Sequence, residues 1–555
     1  MIAVDLLAVM LALAFVTQVH APIPRTPQNV PVEVTLHAAK NHADPFNDIS
    51  VDVVFTDPSG HVWRVPAFWD GADVWKVRYA SKSVGKHSYR TECSDSEDLG
   101  LNGVAGTVIV DRYKGGNALF KHGPIVVESD KRHLQHADGT PFFWLGDTWW
   151  MGLAARLHWP DEFHARAEDR VAKGFNVVQI VAGLYPDMFS FDARGANEAG
   201  FPWEADYARI KPAYFDAADE RIRYLVDQGI TPCIVGAWGY FLPWMGQDKM
   251  EKHWRYVIAR WGALPVVWCA AGEANLPWYL AKGFPYDDRE QVHGWTKILA
   301  YIRATDPFHR LLTIHPTAIN QYTSRHATDD PSLLDFDMLQ TPHGELGAAH
   351  TTIAAMQASY NAEPRMPVIN GEAAYEMLSD SLPTQWTRAM FWICMMNGAA
   401  GHTYGANGLW QNNRPGDPHG RSPNGPGYGN ISLQDALNLP GSSQVGMGKT
   451  LLETFAWQQF VPHPEWATYA DPGSPDQPQS AGVTGKVRLI YCLRAAGIVV
   501  HDLGSNAAYD VKFYDPVTGK TSEKGLTRAD EKGDLRIQPP GADHDWIIIL
   551  GDLLS

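Results

Sequence analysis

The sequence predicts a multidomain protein: a central (β/α)8 TIM barrel flanked by N-terminal and C-terminal β-sandwich domains. Three observations carry that expectation. Between Phe142 and Tyr404 eight apolar runs are separated by stretches of helical period, the pattern of a closed parallel barrel. On either side of this region, short runs alternate apolar and polar residues between turn signals, as antiparallel strands do. Seven of the eight central runs also end in a polar or aromatic side chain, at the end where a barrel gathers its loops. The length agrees, since 555 residues at 45% hydrophobic leave room for more than one core.

In chain order, residues 1–21 read as a secretory signal peptide. Their apolar centre runs from Leu6 to Val16, and small residues at Val19 and Ala21 suit cleavage after Ala21. The n-region is atypical, carrying Asp5 and no Lys or Arg. A secreted or periplasmic protein is expected, and no segment has the length and apolarity of a membrane span. Residues 30–112 form the expected N-terminal Ig-like β-sandwich, in runs such as VEVTLHA, ISVDVVFTDPSG and VWKVRYAS, with Trp63, Trp69 and Trp75 facing its core. After the Gly115-Gly116 break the barrel is expected over 115–460. Its helices are read at Asp161–Lys173, Ala213–Gln228, Lys249–Trp261, Arg289–Arg303 and Thr384–Met396, with a last one at Gly446–Phe460. A segment rich in Gly, Pro and Asn, Asn407–Gly446, is long enough to serve as a wall or lid. Alternation returns over 461–555, the C-terminal β-sandwich, where Asp-Pro-Val-Thr-Gly marks a hairpin.

Composition narrows the function. A formal charge of -16 and the lack of any basic stripe argue against nucleic acid and other polyanions as partners. The five cysteines are odd in number, scattered and without CxxC spacing, so free buried thiols are expected rather than a disulfide framework. His315 and His343 lack the HxH or HExxH spacing of metal ligands, so no metal and no cofactor are expected. Trp, at 21 residues as common as Tyr or Phe, suits stacking on sugar rings and equally suits a large core.

Glycosidic bond cleavage needs two carboxyl groups. Glu273 ends the fourth run, PVVWCAAGE, and Glu372 ends the seventh, PVINGE. Strands four and seven face each other across an eight-stranded barrel, which makes these two the catalytic candidates. Apolar neighbours at Glu273 suit a protonated acid/base. Donors near Glu372 (His315, His343 and Tyr404) suit an ionised nucleophile. The remaining substrate-binding candidates are Asp147, Trp149, Trp238, Tyr240 and Asn275, all at run ends, with Trp150 a further stacking candidate. Glu376 is read as a structural carboxylate. Two opposed carboxylates could also sit on a non-catalytic carbohydrate-binding barrel, the alternative reading.

The runs FFWLGDTWW, GFNVVQIV, PVINGEAAYE, AAGHTYGANGLWQ and LNLPGSSQVG resemble the apiosidase-like glycoside hydrolases over about residues 115–460. The N-terminal sandwich is similar to a domain that often precedes such barrels. The resemblance implies a retaining double displacement on a plant or microbial polysaccharide or oligosaccharide, with Glu273 as acid/base and Glu372 as nucleophile. Two positions depart from the pattern. Gly272 stands where the wider clan has Asn, and Glu273 stands where apiosidase-like members often have Asp.

Overall fold

A computed structural model describes residues 23–277, 287–318, 322–423, 425, 427–541 and 544–551. The expected signal peptide lies outside the described residues. Each of the eight central runs carries a strand: β1 (Trp144–Trp149), β2 (Val177–Val181), β3 (Thr231–Val235), β4 (Val267–Cys269), β5 (Leu312–Thr313), β6 (Asp337–Gln340), β7 (Val368–Glu372) and β8 (Gly401–Tyr404). All ladders are parallel, in the order β5-β4-β3-β2-β1-β8-β7-β6. No β5–β6 ladder forms among the described residues, and the ring is closed by a backbone bond from the Asp335 N–H to the Leu312 carbonyl at 2.9 Å together with side-chain bonds. The Leu312 amide donates to the Asp335 carboxylate at 2.7 Å, and the Thr313 hydroxyl to the Phe336 carbonyl at 2.9 Å. Among the described residues no helix is long and apolar enough to cross a membrane.

Seven helices wrap the barrel: α1 (Asp161–Ala172), α2 (Pro212–Asp227), α3 (Gln247–Trp261), α4 (Arg289–Thr305), α5 (Leu346–Asn361), α6 (Thr384–Met396) and α7 (Pro440–Leu452). Five of these lie where helical period places them. Between β5 and β6 the described residues form only two short turns, Ser324–His326 and Pro331–Leu333, in place of an eighth helix. The last helix begins at Pro440, six residues before the expected start. Pro440 sits in its first turn, and the buried Glu376 carboxylate takes the Gly441 N–H at 3.1 Å on each oxygen. An anion at a helix N-terminus satisfies otherwise orphaned donors, so Glu376 is a structural carboxylate.

The N-terminal region pairs a five-stranded sheet with a three-stranded one. Strands Val32–His37 and Val51–Thr56 bury alternate residues, as the period-two pattern requires, and Trp69 and Trp75 join the core between the sheets. The C-terminal region repeats this arrangement with six- and three-stranded sheets. It docks on α6, where Arg388 forks onto Asp545, a buried ion pair that also receives the Tyr491 hydroxyl at 3.1 Å. All five cysteines are free.

Candidate active site

At the C-terminal mouth of the barrel lies a cavity of about 310 Å³, walled by Trp150, Trp238, Trp410 and Tyr428 and holding Glu273, Glu372 and Asp187. Glu372 reaches it through a β-bulge. Along β6 and β7, Leu339 pairs Asn370, but Gln340 pairs Glu372, so Gly371 is an extra residue. Strict alternation would turn Glu372 toward the helices, with Asn370, which lies against Cys394 of α6. The bulge puts Glu372 beside Gln340, facing inward. Gly371 is required there, because a Cβ would come within 2.6 Å of the Met338 side chain.

Two imidazoles flank Glu372. His343 Nδ1 accepts the Tyr375 N–H at 3.3 Å, so its Nε2 carries the proton and donates to Glu372 Oε1 at 3.1 Å. His315 donates from Nδ1 to the Pro316 carbonyl at 2.8 Å, and its Nε2 faces Glu372 Oε2 at 3.4 Å. Burial lowers the His315 pKa, against the pull of Glu372. Glu372 therefore has Oε1 held by the His343 N–H, and the Tyr375 hydroxyl also bonds the carboxyl.

Glu273 stands in a different environment. Its backbone adopts φ +42°, a left-handed conformation that costs a non-glycine residue about 1 kcal/mol or more. Tight packing behind it enforces this. Gly272 bridges to Trp238, and a Cβ on Gly272 would lie 2.2 Å from the Trp238 ring. The Trp238 ring thus leaves no room for a side chain at position 272. Both oxygens of Glu273 accept neutral donors, Trp238 Nε1 and Gln340 Nε2, each at 3.0 Å. Burial first, then the negative charges of Glu372 and Asp187, push its pKa up to about 8. At neutral pH Glu273 keeps its proton.

Of the expected site residues, Glu273, Glu372, Trp238 and His343 line the cavity, and His315 backs Glu372. Asn275 is buried beneath the rim and holds the Thr317 N–H at 3.0 Å, positioning a wall residue. Four expectations are corrected. Asp147 points away from the mouth into a buried cluster, taking Arg170 Nε and Trp149 Nε1 at 2.7 Å each. Trp149 stacks under the Arg166 guanidinium, 4.2 Å from its centroid. Tyr404 donates to Glu376 at 2.6 Å, and Tyr240 to the Tyr185 carbonyl at 3.0 Å. For Asp147, Trp149 and Tyr404 the reason is alternation. Thr148 and Thr403 take the inward positions at the ends of β1 and β8, so their neighbours face the helices.

Sequence reasoning passed over Asp187, Gln340 and Tyr375. Gln340 and Tyr375 each lie three residues from an expected site residue, His343 and Glu372. Asp187 stands six residues beyond β2, too far from the strand end to stand out. The segment after β8 forms a wall. Trp410 and Tyr428 face the cavity, and cations pin the segment: Arg156 to Asp417 at 3.1 Å, and Arg194 to the carbonyls of His419 and Arg421 at 2.9 and 2.8 Å.

A (β/α)8 barrel with opposed carboxylates at its C-terminal mouth is, by class, a glycoside hydrolase. The chain belongs to the apiosidase-like family: the model described as "Apiosidase-like, catalytic domain" matches residues 128–459. A domain of unknown function, DUF5060, matches residues 26–94. No curated protein matches the sequence. Among solved structures, one described as a glycoside hydrolase is 23% identical with a TM-score of 0.63, over 79% of this chain and 99% of that one. A glycoside hydrolase family 5 structure from Bacteroides vulgatus ATCC 8482 is 24% identical, TM-score 0.66, over 79% and 96%. A putative glycoside hydrolase from the same organism, 19% identical with TM-score 0.66, covers 95% and 99%. These likenesses show the fold.

Proposed function

We propose that the protein hydrolyses glycosidic bonds of a plant or microbial polysaccharide or oligosaccharide by double displacement with retention. Glu372 attacks the anomeric carbon through Oε2, the oxygen that His343 does not hold, forming a C–O bond as the bond to the leaving oxygen breaks. Glu273 gives its proton to that oxygen. In the second step Glu273, now ionised, takes a proton from water, which displaces Glu372 and releases the sugar.

The observation that carries this reading is the split environment of two carboxyls in one cavity. One is kept protonated near neutrality with only neutral donors, and the other is held by an imidazole N–H. A carbohydrate-binding protein would have no use for such a split. Glu372→Gln and Glu273→Gln should each lower kcat on an aryl glycoside by about 10³-fold or more. Azide should rescue Glu273→Ala, giving a glycosyl azide of retained configuration. Unimpaired turnover by both Gln variants overturns the assignment, and an inverted first product by NMR overturns retention. We also place the protein outside the cytoplasm with residues 1–21 removed. N-terminal sequencing of exported protein tests this, and a mature chain that still begins at Met1 overturns it.

A further inference from the structure

Three carboxyls share the cavity, and the proposed chemistry uses two. The third, Asp187, lies on the segment after β2 in a left-handed conformation, φ +54°, and is half-buried against the cavity. It accepts the Tyr428 hydroxyl at 3.3 Å, and Ser422 also bonds it. Both residues belong to the wall segment after β8.

Pinning that segment does not explain Asp187, because another acid does so. Asp380 takes the backbone N–H groups of Asn430 (2.8 and 3.0 Å) and Ile431 (3.0 Å), together with the Asn407 amide at 3.2 Å. Asp187 has hydroxyl donors and faces the cavity. Burial, and then the charge of Glu372, push its pKa up to about 6 against the Ser422 and Tyr428 bonds and the more distant Arg194. Arg194 itself forks onto Asp192, at 2.9 and 2.7 Å. An ionised carboxylate has about four acceptor positions, so two protein hydroxyls leave room for more donors. Sugar hydroxyls are donors of the same kind.

We propose that Asp187 is the specificity-determining residue of this pocket: its carboxylate accepts hydroxyls of the glycon and, with Glu372, restricts that glycon to an uncharged sugar. The proposal rests on the glycosidase reading and adds the substrate class. A uronic acid would bring a further negative charge into a cavity already lined by the Asp187 and Glu372 carboxyls. Like-charge juxtaposition is how a site rejects a competitor of the same shape.

The full-length protein is assayed on 4-nitrophenyl glycosides of neutral pentoses and hexoses, beside the glucuronide and galacturonide. Wild type should favour the neutral sugar over the uronide of the same ring configuration by about 100-fold or more in kcat/KM. Asp187→Asn should lose about 100-fold on the neutral glycoside. It should also narrow the neutral-to-uronide ratio to below about tenfold, because it removes charge as well as acceptor capacity. The loss should shrink on the monodeoxy glycoside that lacks the contacted hydroxyl. Tyr428→Phe, a milder variant that keeps the Asp187 carboxylate, should raise KM by less than about tenfold. In wild type KM should rise as pH falls through about 6, and in Asp187→Asn it should not; the charged and titratable groups facing Asp187 are Glu372, Glu273, Arg194 and Tyr428.

Wild-type preference for a uronide overturns the proposal, and this arm needs no variant. So does Asp187→Asn within about threefold of wild type, or an equal loss on neutral and uronide substrates, which would mark a structural role. Glu372-dependent turnover that ignores Asp187 overturns the proposal alone. If no glycoside is turned over in a Glu372-dependent way, the glycosidase reading falls and takes the proposal with it.

Discussion

Two regions of this molecule bury carboxyls and do opposite things with them. At the junction between the N-terminal sandwich and the barrel, Asp219 of α2 receives Arg78 from strand Val74–Tyr79, Arg260 from α3 at 3.0 Å, and Trp261 Nε1 at 2.7 Å. Burial alone would raise its pKa, but the two guanidiniums hold it below the usual carboxylate range. At the mouth, Glu273 meets an indole and an amide, and Asp187 meets hydroxyls, so burial wins and both are raised. The partner's charge, rather than depth, decides whether a buried acid is mortar or reagent. The pH dependence of stability separates them too. Asp219, with a lowered folded pKa, contributes fully above its unfolded value of about 4, a contribution lost as acid protonates it. Glu273, with a raised one, contributes below an unfolded value of about 4.3 and loses that contribution as pH rises through about 8.

The largest way to break the comparison is to remove the anion from the junction. Asp219→Ala leaves Arg78 and Arg260 buried without their shared partner. Removing one member of a buried pair costs about 3–5 kcal/mol. Urea unfolding should show that loss at pH 7. Below the new transition temperature, kcat should match wild type, because Asp219 is remote from the mouth. A stability change under about 1 kcal/mol would mean that the junction relaxes or hydrates.

Much of this architecture was legible in the sequence because period-two and helical patterns are local signals. All eight apolar runs became strands, and the Glu273–Glu372 pair followed from their order. What stayed hidden depends on register and on distant partners. Asp147 and Tyr404 end apolar runs just as Glu372 does, yet alternation turns them to the helices, and only the Gly371 bulge turns Glu372 inward. The string PVINGE contains the glycine but not its register. Helix α7 was misplaced because LPGSSQVGMG reads as loop, and its start is set by Glu376, 65 positions away in sequence. Asp187 became visible only when the segments after β2 and β8 met.

A second test gives the mouth what the junction has. Gln340→Arg places a guanidinium where an amide now bonds Glu273 Oε1 at 3.0 Å. A cation there favours the ionised form, so the acid should lose its proton well below pH 8. The basic limb of kcat/KM should move down by about two units, and activity at pH 7 should fall about tenfold on a glycoside with a poor leaving group. A dinitrophenyl glycoside, which needs little protonation, should lose less. An unmoved limb would show that Glu273 is not the group titrating there.

The smallest test touches the other oxygen of the same acid. Trp238→Phe keeps a ring against Gly272 but deletes the Nε1 donor to Glu273 Oε2. That bond lowers the Glu273 pKa against the larger effect of burial. Its loss should therefore raise the basic limb of kcat/KM by up to about one unit, equivalent to about 1.4 kcal/mol. Activity at pH 7 should change only a few-fold, since the acid is already protonated there. The direction is the informative part. Gln340→Arg and Trp238→Phe alter the two oxygens of one carboxyl and should move one limb in opposite senses. If both variants move it the same way, packing rather than donor charge governs this acid, and the contrast between mouth and junction fails.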